Sequence, residues 1–193
     1  AGRGIALEGD HHVARNLVVH SNHGDGIFVR GNHNLIEDSI TYDNYSRSTG
    51  GESADGVKID SGEGNVIRRV VSYANSDDGI DLWATTGSLV EYCVSFRNGR
   101  GEFGDGMGFK MSRGGLDSGN VLRFNVAFDN RSHNFTDNGG GALTVYNNTS
   151  FGAGWAGFHV PGSSEVTPST LTNNISFRDT EGVKVVPTSR SEE

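Results

Sequence analysis

Six stretches of this chain lie over one another residue for residue, and that repetition limits the possible folds more than any other feature. They are NLIEDSITYDN (34–44), NVIRRVVSYAN (65–75), SLVEYCVSFRN (88–98), NVLRFNVAFDN (120–130), LTVYNNTSFGA (143–153) and STLTNNISFRD (169–179), with a shorter first copy, NLVVHSN, at 16–22. One column holds Ile36, Ile67, Val90, Leu122, Val145 and Leu171. A second holds Ile40, Val71, Val94, Val126, Thr149 and Ile175, and a third Tyr42, Tyr73, Phe96, Phe128, Phe151 and Phe177. Asn22, Asn44, Asn75, Asn98 and Asn130 close most of the runs. A second half-unit follows each run: DGIFVRG from Asp25, DGVKIDSG from Asp55, DGIDLWATTG from Asp78 and DGMGFKMSRGG from Asp105. NFTDNGGG from Asn134, AGFHVPGSS from Ala156 and EGVKVVP from Glu181 complete the series. Ile27/Val29, Val57/Ile59, Ile80/Leu82 and Met107/Phe109 are its expected inward pairs.

Alternation with a period of two, broken by Gly and Asn, reads as short strands and turns. Seven such units of roughly 22–32 residues predict an all-β right-handed parallel β-helix, a solenoid of about seven coils. The whole chain, 1–193, is expected to be one domain of this kind. Coils stacked about 4.8 Å apart would line up aliphatic and aromatic columns into one long core, and the asparagines into a side-chain ladder. An antiparallel sandwich would not need matching columns in every unit. Two insertions, YSRSTGGESA (45–54) and GRGEFG (99–104), fall just upstream of acidic half-units. Solenoid insertions gather on one face, often the binding face.

A net charge of −8 argues against a nucleic-acid partner. No apolar run approaches the roughly 20 residues that cross a bilayer, so no membrane association is expected. No secretory leader is evident, and the chain begins at Ala1 as a mature form or an excised domain would. Cys93 is expected to be a buried space-filler. His11, His12, His20, His23 and His33 read as outward or turn residues, lacking the carboxylate company of a metal site.

The chemistry concentrates between Asp55 and Lys110. If the columns hold, Asp55 and Asp78 sit on adjacent coils about 5 Å apart. Asp77 stands beside Asp78 at the turn, and Asp81 projects outward because Ile80 and Leu82 take the inward positions. Four carboxylates in one patch repel unless a cation lies among them. Oxygen donors alone suit Ca²⁺ over zinc. Taken singly, Asp25, Asp55 and Asp105 are ordinary Asp-Gly turn formers. Lys110 follows the inward Phe109 and so faces outward, one coil beyond Asp78 and Asp81. A lysine beside a bound divalent ion has its pKa lowered and can act as a base; otherwise it is a solvated surface lysine. Arg113, Arg131, His133, Asn134 and Trp83 are candidate sugar contacts, Arg113 because guanidinium binds carboxylate bidentately. Trp83 is expected to share the outward column of Asp60, Lys110 and Asn138.

The ADG at 54–56, the DDGxD of Asp77–Asp81 followed by Leu82 and Trp83, and the GxGFK ending at Lys110 together resemble the β-helix pectate lyases of polysaccharide lyase family nine. The resemblance implies that Asp55, Asp77, Asp78 and Asp81 bind a catalytic Ca²⁺ and that Lys110 is the Brønsted base. It implies β-elimination on a uronic-acid polysaccharide, pectate or a rhamnogalacturonan, by a secreted enzyme expected to be monomeric. The chain is shorter than the solenoids typical of that family, with few coils before Asp55. Two other readings keep the fold: a C5-epimerase or hydrolase, whose paired carboxylates the Asp cluster imitates, and a non-catalytic, calcium-stabilised carbohydrate-binding or structural module.

Overall fold

In the computed structural model, which describes residues 2–161 and 168–185, three parallel sheets wind around a continuous core. Among the described residues the sheets have eight, seven and seven strands, each strand pairing with its counterpart one coil away. This is the right-handed parallel β-helix expected from the repeats. Gly162–Ser164 of one predicted half-unit and Val186–Pro187 of another lie outside the described residues.

The predicted columns are the observed registers. Ile36, Ile67, Val90, Leu122, Val145 and Leu171 are successive Cα partners in the second sheet. The middle residue of each three-residue strand there faces inward, and Ile36, Ile67, Val90 and Leu122 are fully buried. The first sheet adds Ile27, Val57, Ile80, Phe109, Phe135 and Phe158, whose last three rings stack 4.9 and 4.7 Å apart.

The third sheet corrects one expectation. Its aromatic column stacks ring on ring at 4.6–5.0 Å, but on the outside, with only partial cover. The aliphatics two positions earlier face out as well, Ile40 being 38% exposed. Inward at this wall are Thr41, Ser72, Ser95, Ala127 and Ser150, all buried. The reason is the half-unit glycine opposite. A Cβ on Gly56 would lie 1.9 Å from Ser72 Oγ, and one on Gly79 would lie 2.0 Å from Ser95 Oγ. Ser72 and Ser95 donate to the carbonyls of Gly79 and Gly108 at 2.7 and 2.8 Å. The interior is too narrow here for a large side chain. At Asp55-Gly56 and Asp78-Gly79 the glycine is therefore a packing requirement, whereas Gly106, at φ +73°, is a turn glycine.

The asparagine ladder forms as expected. Nδ2 of Asn22, Asn44, Asn75 and Asn98 each donates to Oδ1 of the next asparagine at 2.8–3.0 Å, across 22, 31, 23 and 32 residues. The same Oδ1 atoms accept backbone N–H groups, satisfying donors that the corner leaves without a strand partner. A second ladder, Asn125–Asn148–Asn174, fixes another corner. Corners close on single left-handed residues such as Arg69, Tyr92 and Phe124, each costing about 1 kcal/mol or more that the ladder offsets. Asn98→Ala strands buried Asn75 and Asn130 groups. It is expected to destabilise the fold by about 2–3 kcal/mol, read as a lowered denaturant midpoint at unchanged slope.

Cys93 is buried, its Sγ 3.3 Å from the Glu91 carbonyl oxygen, and burial pushes the thiol up to about 12. The N-terminal histidines sit on corners and outer columns, His11 stacking on His33 and His20 on Tyr42. Among the described residues, no helix is long and apolar enough to cross a membrane.

Candidate active site

The stacking of half-units builds a column of Asp25, Asp55 and Asp78 in the way the asparagines build theirs. Asp55 N donates to Asp25 Oδ1 at 3.2 Å, Asp78 N to Asp55 Oδ1 at 2.9 Å, and Met107 N to Asp78 Oδ1 at 2.7 Å. One oxygen of Asp55 and Asp78 is thus spent on backbone, and the other faces a lysine that lines the cleft, Lys58 for Asp55 and Lys110 for Asp78. Asp77, preceding Asp78, accepts from Ser53 N of the first insertion at 2.7 Å and from Asp105 N, just after the second, at 2.6 Å. The insertions join directly, Phe103 N donating to the Gly50 carbonyl, and Ser76 Oγ ties the first of them down through the Gly51 carbonyl. Glu52 and Ser53 of the first insertion line a cleft of about 390 Å³ together with Lys58, Asp77, Asp81, Trp83, Asp105 and Lys110.

Carboxylate oxygens of Asp55, Asp77 and Asp78 lie within 4.8 Å of one another. Asp78 Oδ2 and Asp81 Oδ1 are buried without a hydrogen bond. Asp78 Oδ2 has only an ionic neighbour, Lys110 Nζ at 3.3 Å. Crowded oxygen donors with unmet acceptor capacity fit a hard divalent cation such as Ca²⁺, and among the described residues no imidazole or thiolate joins them. Asp81 is not part of the tight trio. Its Oδ2 is ion-paired with Lys58, whose Nζ also lies 3.3 Å from Asp55 Oδ2. Lys58, Asp81 and Lys110 are register partners on three successive coils. The sequence reading missed Lys58, although its outward phase opposite Asp81 was available from the alternation. It also missed Asp105 as a partner of Lys110 at 2.9 Å.

The fourth half-unit departs from the predicted register. Gly108, not Gly106, aligns with Gly79, so Met107 takes the aspartate column while Phe109 and Met111 point inward. Asp105 is freed to reach Lys110. Trp83, 38% exposed, is on the expected face, but Lys110 belongs to the column of Asp81. The Nζ atoms of Lys110 and Lys58 stand 5.3 and 5.6 Å from the Trp83 ring centre.

The electrostatics follow from burial. It pushes the Asp78 carboxyl up to about 8 and those of Asp55 and Asp77 upward, against the opposing pull of Lys110 on Asp78 and Lys58 on Asp55. For Lys110, burial favours the neutral amine, but the Asp78 and Asp81 carboxylates outweigh it and hold the pKa above the usual lysine range. The expected lowering belongs to a lysine beside a bound divalent ion; with the carboxylates alone, Lys110 is held up. Lys58 is held up in the same way by Asp55 and Asp81.

The other candidates divide. Asn134 is fully buried at the position where neighbouring coils carry glycine. Its Nδ2 donates to the Ala127 carbonyl and to Ser150 Oγ, so it faces the core and not a sugar. His133 is buried too, stacked 4.1 Å from His159 with Nδ1 accepting from Ala156 N, and it does not line the cleft. Arg131 spans the second insertion, donating to the carbonyls of Gly101, Glu102 and Gly104. Arg113 is exposed in the loop after Lys110, outside the cleft lining.

Relatives agree with this architecture. The family described as Pel9A-like, right-handed β-helix region, matches residues 1–174. Pectate lyase L of Paenibacillus polymyxa is 29% identical over 229 residues, covering 93% of this chain and 50% of that protein. Pectate lyase L of Dickeya chrysanthemi is 33% identical over 161 residues, covering 77% of this chain and 38% of that protein. The crystal structure of pectate lyase Pel9A superposes with a TM-score of 0.77 at 26% identity, over 98% of this chain and 53% of that one. The chain thus spans half or less of the curated relatives it matches. With its repeats, its stacked aspartates and this match over nearly its whole length, the chain belongs to the Pel9A-like right-handed β-helix family.

Proposed function

We propose that the chain carries the active cleft of a calcium-dependent polysaccharide lyase that cleaves a uronic-acid polysaccharide, polygalacturonate or a rhamnogalacturonan backbone, by β-elimination. The observation that carries this reading is the juxtaposition of an oxygen-only carboxylate cluster with a shielded lysine in one open cleft, Lys110 Nζ 3.3 Å from Asp78. The names of the relatives cited above, pectate lyases, support it.

In this reading Asp55, Asp77 and Asp78 would hold the ion, and Asp81 would be available to join them if its ion pair with Lys58 were released. When bound there, a divalent cation would supply positive charge to pair with a uronate carboxylate and to offset the negative charge that grows on it as the adjacent C–H bond breaks. Lys110 accepts the C5 proton on Nζ. The C5–H electrons form the C4=C5 double bond, the C4–O bond breaks, and the departing oxygen takes a proton. No water is added. Lys110 acts only as the neutral amine, so neutralisation of Asp78 and Asp81 is part of its activation. Asp105, half-exposed and 2.9 Å from Nζ, is placed to take the proton on to solvent. Trp83 offers a flat face beside both lysines for the sugar ring. An acidic polysaccharide outside the cell is the matching setting.

Product masses test the reaction class. Elimination gives an unsaturated fragment lighter by one water than the hydrolytic product, and epimerisation leaves chain length unchanged. Unsaturated fragments are expected from polygalacturonate or rhamnogalacturonan; saturated fragments or intact chains throughout would overturn the lyase reading.

Lys58 supplies a separate expectation. Its ammonium is the resident counter-ion of Asp55 and Asp81, so an incoming cation must displace it. Lys58→Met is expected to tighten calcium binding about tenfold, a change of about 1.4 kcal/mol, in calorimetric titration. Equal or weaker binding would show that Lys58 does not compete.

A further inference from the structure

A second, shallower cavity of about 310 Å³ adjoins the cleft, and the two share Asp105. Arg131, Ser132 and Trp155 line its far side. Trp155 is 59% exposed, yet its backbone is fixed: its N–H donates to the Ser132 carbonyl and its carbonyl accepts from Glu181 N, both at 3.0 Å. The preceding turn has no slack, because a Cβ on Gly154 would stand 2.1 Å from the Arg131 carbonyl oxygen. The indole leans on His133 at 5.4 Å, which stacks in turn on His159. A large aromatic held this rigidly, with one side open, is a platform rather than a packing residue.

The charge beside it is unbalanced. The Arg131 guanidinium donates to three loop carbonyls, and among the described residues no carboxylate lies within ion-pair reach of it. Asp105, the carboxylate lining this cavity, is engaged by Lys110. Backbone bonds link Ser132 N to the Gly106 carbonyl and Trp155 N to the Ser132 carbonyl. Trp155 therefore stands two coils beyond the loop of Asp105, roughly 10 Å along the helix axis.

From these features we propose that this cavity is a second sugar-binding position. It takes a uronosyl residue of the same polysaccharide chain, the C–H face of its ring on Trp155 and its carboxylate toward Arg131. The ligand class rests on the lyase reading; the position rests on the cavity itself. Polymer bound here is anchored along the helix axis while another unit meets Lys110, which favours longer substrates over short ones.

The chain has two tryptophans, so single substitutions make each a private reporter. In a Lys110→Ala background with calcium, Trp83→Phe leaves Trp155 as the emitter and Trp155→Phe leaves Trp83. Trp155 emission is expected to shift saturably with a pentagalacturonate and not with a neutral oligosaccharide of equal length. Trp155→Ala, in the same background, is expected to bind the pentamer about tenfold more weakly, about 1.4 kcal/mol, and the dimer unchanged. Trp155 silent while Trp83 responds, with pentamer affinity intact in Trp155→Ala, overturns the second position and leaves the cleft reading standing. Silence of both tryptophans toward every acidic oligomer overturns both.

Discussion

Lys110→Arg is expected to be as inactive as Lys110→Ala, with elimination slowed by about 10²–10⁴-fold in each, the usual contribution of a positioned base. The two variants fail for different reasons, which makes the pair informative. Alanine removes the cation that lies 3.3 Å from Asp78 and 2.9 Å from Asp105 and leaves buried carboxylates short of a partner. The metal-free alanine variant is therefore expected to melt lower than wild type. Arginine keeps a positive charge for those carboxylates but cannot surrender its proton near neutral pH. A role for Lys110 confined to charge balance would let arginine retain most of the rate. A role as base does not. Because only the neutral amine can accept the proton, the wild-type rate with calcium is expected to climb with pH as more of the amine becomes neutral.

Asp78→Asn is expected to move function and stability in opposite directions. The amide keeps an oxygen for Met107 N but loses a charged donor to the cation. Calcium affinity should fall by more than the roughly 10–100-fold typical of losing an outer-sphere partner. Without calcium, however, the variant is expected to melt higher than wild type at neutral pH. Burial raises the folded-state pKa of Asp78 to about 8, above its ordinary value when unfolded. Between those two values the folded protein binds the extra proton, so stability falls as pH rises, and ionising Asp78 costs free energy that the amide avoids. Wild type should accordingly release protons on binding calcium, seen as a buffer-dependent binding heat. Melting curves with calcium and with chelator check both signs at once. A destabilised metal-free Asp78→Asn would mean that the Lys110 ion pair outweighs the burial of the carboxylate.

The parts of this molecule that repeat were readable from the sequence. Stacked coils force position i of one unit onto its counterpart in the next, so Ile36 over Ile67 and Asp55 beside Asp78 follow from alignment alone. Features set by the third dimension were not. The narrow wall where Gly56 meets Ser72 turns the aromatic column outward, yet in sequence the aromatics look like core. Left-handed corners at Arg69, Tyr92 and Phe124 bear none of the Gly or Asn signature of such a conformation, because coil stacking rather than local preference imposes it. The shift by two residues at Asp105 was hidden because a second Gly-containing pair, Met107-Gly108, lies directly after Asp105-Gly106. Asn134 looked like a polar surface residue, but its amide replaces the glycine of earlier coils and is fully satisfied inside. Lys58 belongs with the legible features, since stacking the coils puts its outward position beside Asp81.

Following the ultraviolet absorbance of the conjugated C4=C5 uronate tests the central claim most directly. Wild type and Lys110→Arg would be compared on polygalacturonate and rhamnogalacturonan, with calcium, after chelation, and after calcium is restored. The expected record is a rise with wild type that stops on chelation, resumes with calcium, and is absent from Lys110→Arg. Calcium bound by the wild type with no rise on either polymer, or a rise that Lys110→Arg preserves, would contradict a calcium-dependent elimination with Lys110 as its base.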